Sequence, residues 1–180
     1  LMSGGANFGF LEQHDPKLMH LAQRAERYLC DDPNTCLIKL RQFGELLIKH
    51  VAAQHRLPEQ ENFAATVHLL QREGVHATVI QGFHDLRRAG NDAVHGFRGD
   101  KQEALLKLKT ARAMATWYHR VTKDRAFDPG PFIPPKDPGN EQIQQLQDQL
   151  KEALIQARQA QDLAEAQAQL LALQAAEAAA

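Results

Sequence analysis

Residues 83 to 97, from Phe83 to Phe97, read FHDLRRAGNDAVHGF, and the spacing within this stretch decides the fold class. At the 100° per residue of an α-helix, Leu86, Gly90, Ala93 and Phe97 fall on one side, with Phe83 and Val94 beside them. His84, Arg88, Asn91 and His95 fall within about 60° of one another on the opposite side. The expectation is an amphipathic helix that buries the first set and presents the second as one polar stripe. Gly90 in the helix interior costs about 1 kcal/mol relative to alanine, which implies close approach by a neighbouring backbone.

Working outward, the same punctuation recurs. Gly96 ends this fourth helix, which begins near His76, and Asp100 with Glu103 forms a capping-box-like start to a fifth helix running to about Lys123. Upstream, Asp15-Pro16 and Asp32-Pro33 each place a capping carboxylate before a proline at the first helical position. Leu18, Leu21, Ala22, Ala25 and Leu29 then mark a first helix to about Cys30, and Leu37, Leu40, Phe43, Leu47 and Val51 a second to about His55. Asn62 caps a short third helix carrying Phe63, Val67 and Leu70, which Gly74 stops. No stretch alternates with a period of two between turn signals, so strands are not expected.

Asp128–Gly139 reads DPGPFIPPKDPG and carries five prolines, a composition that cannot continue a helix. It is expected as a semi-rigid linker over 128–140. Glu141 to Ala180 is rich in Gln, Ala, Leu and Glu, with Ile143, Leu146, Leu150, Ala153, Ala157, Ala160, Ala164 and Leu171 near heptad a and d positions. That pattern predicts a long helix with a narrow, alanine-lined seam. The organisation expected is all-α: residues 1–6 an expression scar, 7–127 a bundle of about five helices, then the linker, then the long helix with coiled-coil character.

Charge narrows the function classes. The formal net charge is -1, which argues against a surface built throughout to wrap nucleic acid. Six acidic and two basic residues lie from Glu141 onward, out of 22 and 21, leaving residues 1–140 with +3. Lys101, Lys107, Lys109, Arg112, Arg120, Lys123 and Arg125 make the fifth helix basic, and Lys101, Lys107, Lys109 and Arg112 stand as candidate phosphate contacts, although a solvated face is the simpler reading. No apolar run spans a membrane and no secretion leader precedes the fold, so a cytoplasmic protein without membrane partners is expected. Cys30 and Cys36 are expected as reduced, buried thiols. Nine histidines raise the question of a metal, but no two lie three or four apart on a helix, and none is expected.

The Arg88-x6-His95 spacing, with Asn91 between, resembles the R-x(4-6)-H signature of the HEPN superfamily (higher eukaryotes and prokaryotes nucleotide-binding) of small helical bundles. More narrowly, NFGFL from Asn7, DPNTCLIKLRQFGELL from Asp32, LRRAGNDAVHG from Leu86, TARAMATWYHR from Thr110 and PFIPP from Pro131 resemble, in that order, the N-terminal helical domain of type I restriction enzyme R subunits. That resemblance covers about residues 7 to 180. It implies a HEPN-like bundle belonging to a larger enzyme that cuts DNA, translocates it with ATP and Mg²⁺, and assembles with methyltransferase and specificity subunits. No phosphate-binding G-x-x-x-x-G-K-[ST] loop and no nuclease ligand set occurs in these residues, so the fragment is expected to need no cofactor and to serve as an accessory or interaction domain.

Two alternatives stand beside this reading. In a HEPN-type, metal-independent ribonuclease acting as a dimer, His95 would serve as general base or acid, Arg88 would stabilise charge developing on phosphorus, and Asn91 would orient the phosphate. In a nucleic-acid-binding module, the basic fifth helix would track a backbone. The plainer role for His84, Arg88, Asn91 and His95 is an interface or ligand stripe, with homodimerisation through the fourth helix or the C-terminal helix as one form of it.

Overall fold

A computed structural model describes residues 6–96 and 99–179. Residues 1–5 of the expected expression scar, and Phe97 of the apolar face, lie outside the described residues. Among the described residues there is no strand. A 3-10 turn, Gly9–Gln13, precedes α1 (Pro16–Tyr28), α2 (Pro33–Gln54), α3 (Phe63–Arg72), α4 (Ala77–Gly96), α5 (Lys101–Thr122) and α6 (Pro138–Ala178). The helix starts are where the capping residues stand. The Asp15 carboxylate accepts from the Lys17 N–H at 2.8 Å, Asp32 from Thr35 at 3.0 Å, Asn62 from Ala65 at 2.9 Å and Asp100 from Glu103 at 2.6 Å. Each satisfies a donor that the first helical turn leaves without a partner. Gly74, at φ +81°, closes α3 in the left-handed region.

The chain forms two compact units, residues 1–135 and 136–180. In the first, α2 is the central helix and packs on α1, α3, α4 and α5. Phe8, Phe43, Phe83, Leu40, Leu86 and Leu108 are fully buried there, and the Phe8 and Phe43 rings meet edge-on at 6.2 Å. Leu86 lies against Gly44, while Gly90 lies against Arg41 and Leu37, so α2 and α4 run antiparallel. A β-carbon on Gly90 would stand 2.3 Å from Cβ of Arg41 and 3.0 Å from the Leu37 carbonyl oxygen. The glycine thus permits the backbone approach that its position in the sequence implies.

Val94 departs from the expected apolar face: it is 45% exposed. Gly44 faces Leu86 and Leu37 faces Gly90, so the antiparallel register brings Val94 level with the first turn of α2, which begins at Pro33. There the neighbouring helix runs out.

The second unit is α6, a single helix of 41 residues, about 62 Å long at 1.5 Å per residue. It starts at Pro138 rather than Glu141, because Asp137-Pro138 is a third cap-and-proline pair, with the Asp137 carboxylate accepting from the Gly139 N–H at 3.0 Å. None of its described residues is buried. Its large apolar side chains occupy two sides: Ile143, Leu146, Leu150, Leu154 and Leu171 on one, Ile155, Leu163, Leu170 and Leu173 roughly opposite.

No helix among the described residues is long and apolar enough to cross a membrane.

Candidate functional site

The α4 stripe is set by the close packing of α4 on α2. His84 is half-buried, with its ring edge-on to Phe63 at 5.9 Å. Arg88 and His95 are exposed, two helical turns apart. Asn91 is half-buried, and its side-chain oxygen accepts from Nη1 of Arg41 at 3.0 Å; Nε of Arg41 also donates to Glu45 at 3.0 Å. Asn91 is therefore held by α2, while Arg88 and His95 are presented to solvent. Next to the stripe, the Arg87 guanidinium lies 4.7 Å over the Phe63 ring. Both residues line a groove of about 510 Å³ between α2 and the start of α3, with a floor of Ile48, Ala52 and Leu57. The exposed cation and imidazole of the stripe, held on a rigid helix, make a surface suited to recognition, and the groove at Arg87 lies toward the other end of α4 from His95.

The candidate phosphate contacts of the fifth helix are not brought together. Lys107 points about 160° away from Lys109 around α5, and Lys101 and Lys107 are half-buried whereas Lys109 is exposed. Arg112 does not belong to a solvated face: it is buried, at 7% exposure. Its Nε donates to the Asn7 carbonyl at 3.3 Å, and Nη2 donates to the carbonyls of Pro129, Gly130 and Pro131 at 2.7, 3.1 and 3.4 Å. The helical wheel could not show this, because it carries no information on which segment returns to cover a face. The first half of the proline stretch is that segment. Asn7 completes the arrangement: its amide oxygen accepts from the Ile133 N–H at 2.9 Å and its amide nitrogen donates to the Ile133 carbonyl at 2.7 Å and to Glu26. Burial raises the Glu26 carboxyl above its ordinary range, against the Asn7 hydrogen bond and the positive charge of Arg112.

A second cluster went unseen in the sequence because three separate elements build it. Nε2 of His14 meets Nδ1 of His119 at 2.9 Å, His50 pairs with Asp15 at 2.9 Å, and Tyr118 lies 4.9 Å from the His14 ring. The rings of Phe10 and Phe127 pack on His119. The one available signal was His14 standing beside the capping Asp15. Among the described residues, no group of three or more His, Cys, Asp or Glu could hold a metal ion. Burial, then the neighbouring charges of His119, Lys123 and His50, lower the His14 pKa from 6.5 to about 4. Burial likewise pushes the Cys36 thiol up to about 12, with Cys30, Glu26 and Asp32 adding to it, so it stands as an inert thiol.

The unfolded chain takes up a proton at His14 more readily than the folded one. Stability from this group is full above about pH 6.5, declines as pH falls toward 4, and changes no further below that. Because His14 is only half-buried, solvent screening reduces the effect to about 1 kcal/mol. Denaturant titrations at pH 7 and pH 5 are expected to show somewhat more than half of that loss, and His14→Gln to remove it; an unchanged difference in the variant would assign it to other groups.

Residues 23–127 match the family described as a domain of unknown function, DUF4145. The chain is also similar to the type I restriction enzyme EcoKI endonuclease subunit of Escherichia coli (strain K12), with 36% identity over 179 residues covering 94% of this chain. It spans 15% of the length of that subunit. No solved structure matches the chain.

Proposed function

Because the chain belongs to the DUF4145 family and resembles a type I restriction endonuclease subunit over nearly its whole length, we propose that it is an accessory interaction domain of such a subunit. On this reading the α4 stripe positions the nuclease and motor subunit against its methyltransferase and specificity partners, within an enzyme that restricts foreign DNA. The observation that carries it is the 36% identity over 94% of this chain to a segment making up 15% of the relative, a match of domain size. The stripe supports the same reading: Arg88 and His95 are exposed on a helix whose other side is locked against α2. DNA, ATP and Mg²⁺ belong to the activity proposed for the parent enzyme, not to the role proposed for these residues.

The test is assembly. Arg88→Glu and His95→Glu, placed in the full-length subunit, are expected to weaken its recovery with the methyltransferase and specificity subunits about tenfold, as loss of a central charged contact does. Unchanged assembly with both variants would overturn the proposal. The isolated chain is expected to leave RNA intact. Cleavage lost equally in Arg88→Ala and His95→Ala would replace this reading with a ribonuclease one.

A further inference from the structure

On the far side of Arg112, α5 and the proline segment enclose a shallow concavity of about 370 Å³. Its lining carries three cations, Lys109, Arg112 and Arg120, and one carboxylate, Asp128, whose Oδ1 is tied to the Gly130 N–H at 2.9 Å. Lys109 and Arg120 are exposed, three helical turns apart, about 16 Å along α5. Between α5 and solvent stands Phe132, half-buried, with Nζ of Lys109 resting 5.7 Å from its ring centroid. Arg112 donates to the carbonyls that shape the rim, so its buried charge adds to the field of the site without a direct ion pair to any carboxylate among the described contacts.

We infer that this concavity binds a short segment of a single-stranded nucleic acid, with phosphates two or three nucleotides apart on Lys109 and Arg120 and one base against Phe132. An aromatic ring flanked by a line of cations is the combination that takes unpaired strands, because each base offers a face to stack and each phosphate a charge to neutralise. A spacing of about 16 Å exceeds the step between neighbouring phosphates, so Lys109 and Arg120 take phosphates two or three nucleotides apart on an extended strand. A duplex keeps its bases inside the stack and cannot offer one to the ring. An acidic peptide would satisfy the cations but leave the ring unused. The site lies on α5, not on the α4 stripe, so it is independent of the assembly role proposed above.

Fluorescence anisotropy of the full chain tests this, with labelled oligothymidylate and oligouridylate as probes, and with duplex DNA, inorganic polyphosphate and polyglutamate as unlabelled competitors. Binding of either strand at low salt, weakening steeply toward about 200 mM, is expected, and the tighter of the two probes identifies DNA or RNA as the source. Lys109→Gln and Arg120→Gln are each expected to weaken binding about fivefold to tenfold and to reduce the salt slope by about 0.7. Phe132→Leu is expected to weaken it about fivefold or more with the salt slope unchanged. Lys109 is exposed, so its variant keeps the test intact should Phe132→Leu fail to fold. Arg72→Gln, on α3, which packs on α2 and α4 but not on α5, is the charge control.

Four results would each overturn the proposal: no binding at low salt, an equal loss in Arg72→Gln, tighter competition by duplex than by single strands, or competition by polyphosphate or polyglutamate as strong per charge as by the oligonucleotides.

Discussion

Gly90→Ala is expected to destabilise the bundle by about 3 kcal/mol, although alanine is the better helix former by about 1 kcal/mol. The added carbon would meet Cβ of Arg41 at 2.3 Å and the Leu37 carbonyl oxygen at 3.0 Å. Neither atom moves without moving α2, so the two central helices must separate, and interiors packed this closely do not absorb such a shift locally. Gly82→Ala supplies the contrast. Its β-carbon would meet Sδ of Met114 at 2.6 Å, the flexible part of a side chain that can turn away. The gain in helix propensity then offsets the crowding, and the net effect is expected within about 1 kcal/mol of zero. Chemical denaturation of the two variants measures the difference; equal stabilities would show that α2 and α4 are not in the close contact described. Gly90→Ala also shifts Arg41 away from Asn91, so the α4 surface changes with the core.

Arg112→Ala is expected to lower the melting temperature by roughly 10 °C, which corresponds to about 3 kcal/mol for a chain of this size. The guanidinium donates to four backbone carbonyls, and hydrogen bonds from a charged donor are worth more than neutral ones. Without it, residues 129–133 gain more from water than from the bundle and peel off. Trypsin cleavage at Arg125 and Lys136, which flank the segment, should accelerate in parallel with the loss of stability. Arg112→Lys restores only part, since a compact ammonium cannot span the positions that a planar fork reaches. A melting temperature within about 2 °C of the parent, with cleavage unchanged, would show that Arg112 does not hold the segment.

The helices were legible because their starts carry local chemistry: Asp15, Asp32, Asn62 and Asp100 each accept a backbone N–H that their own helix leaves open. The same chemistry at Asp137-Pro138 was hidden by the surrounding prolines, which read as a break, although proline at the first helical position forfeits no hydrogen bond. Position on a helix was readable; what lies over that position was not. Arg112 looked like a surface cation because its cover comes from residues 129–131. The meeting of His14, His50 and His119 depends on the 3-10 turn, α2 and α5 converging, which spacing within any one helix cannot reveal. For the α4 stripe the sequence supplied identity and order, whereas the tie from Arg41 to Asn91 required the α2–α4 contact to be known.

The pairing of Asn7 with Ile133 means that the polypeptide enters and leaves the first unit at one spot. A module with adjoining entry and exit can be spliced into a longer chain, or cut from it, with the flanks rejoined across about two residues at 3.8 Å each.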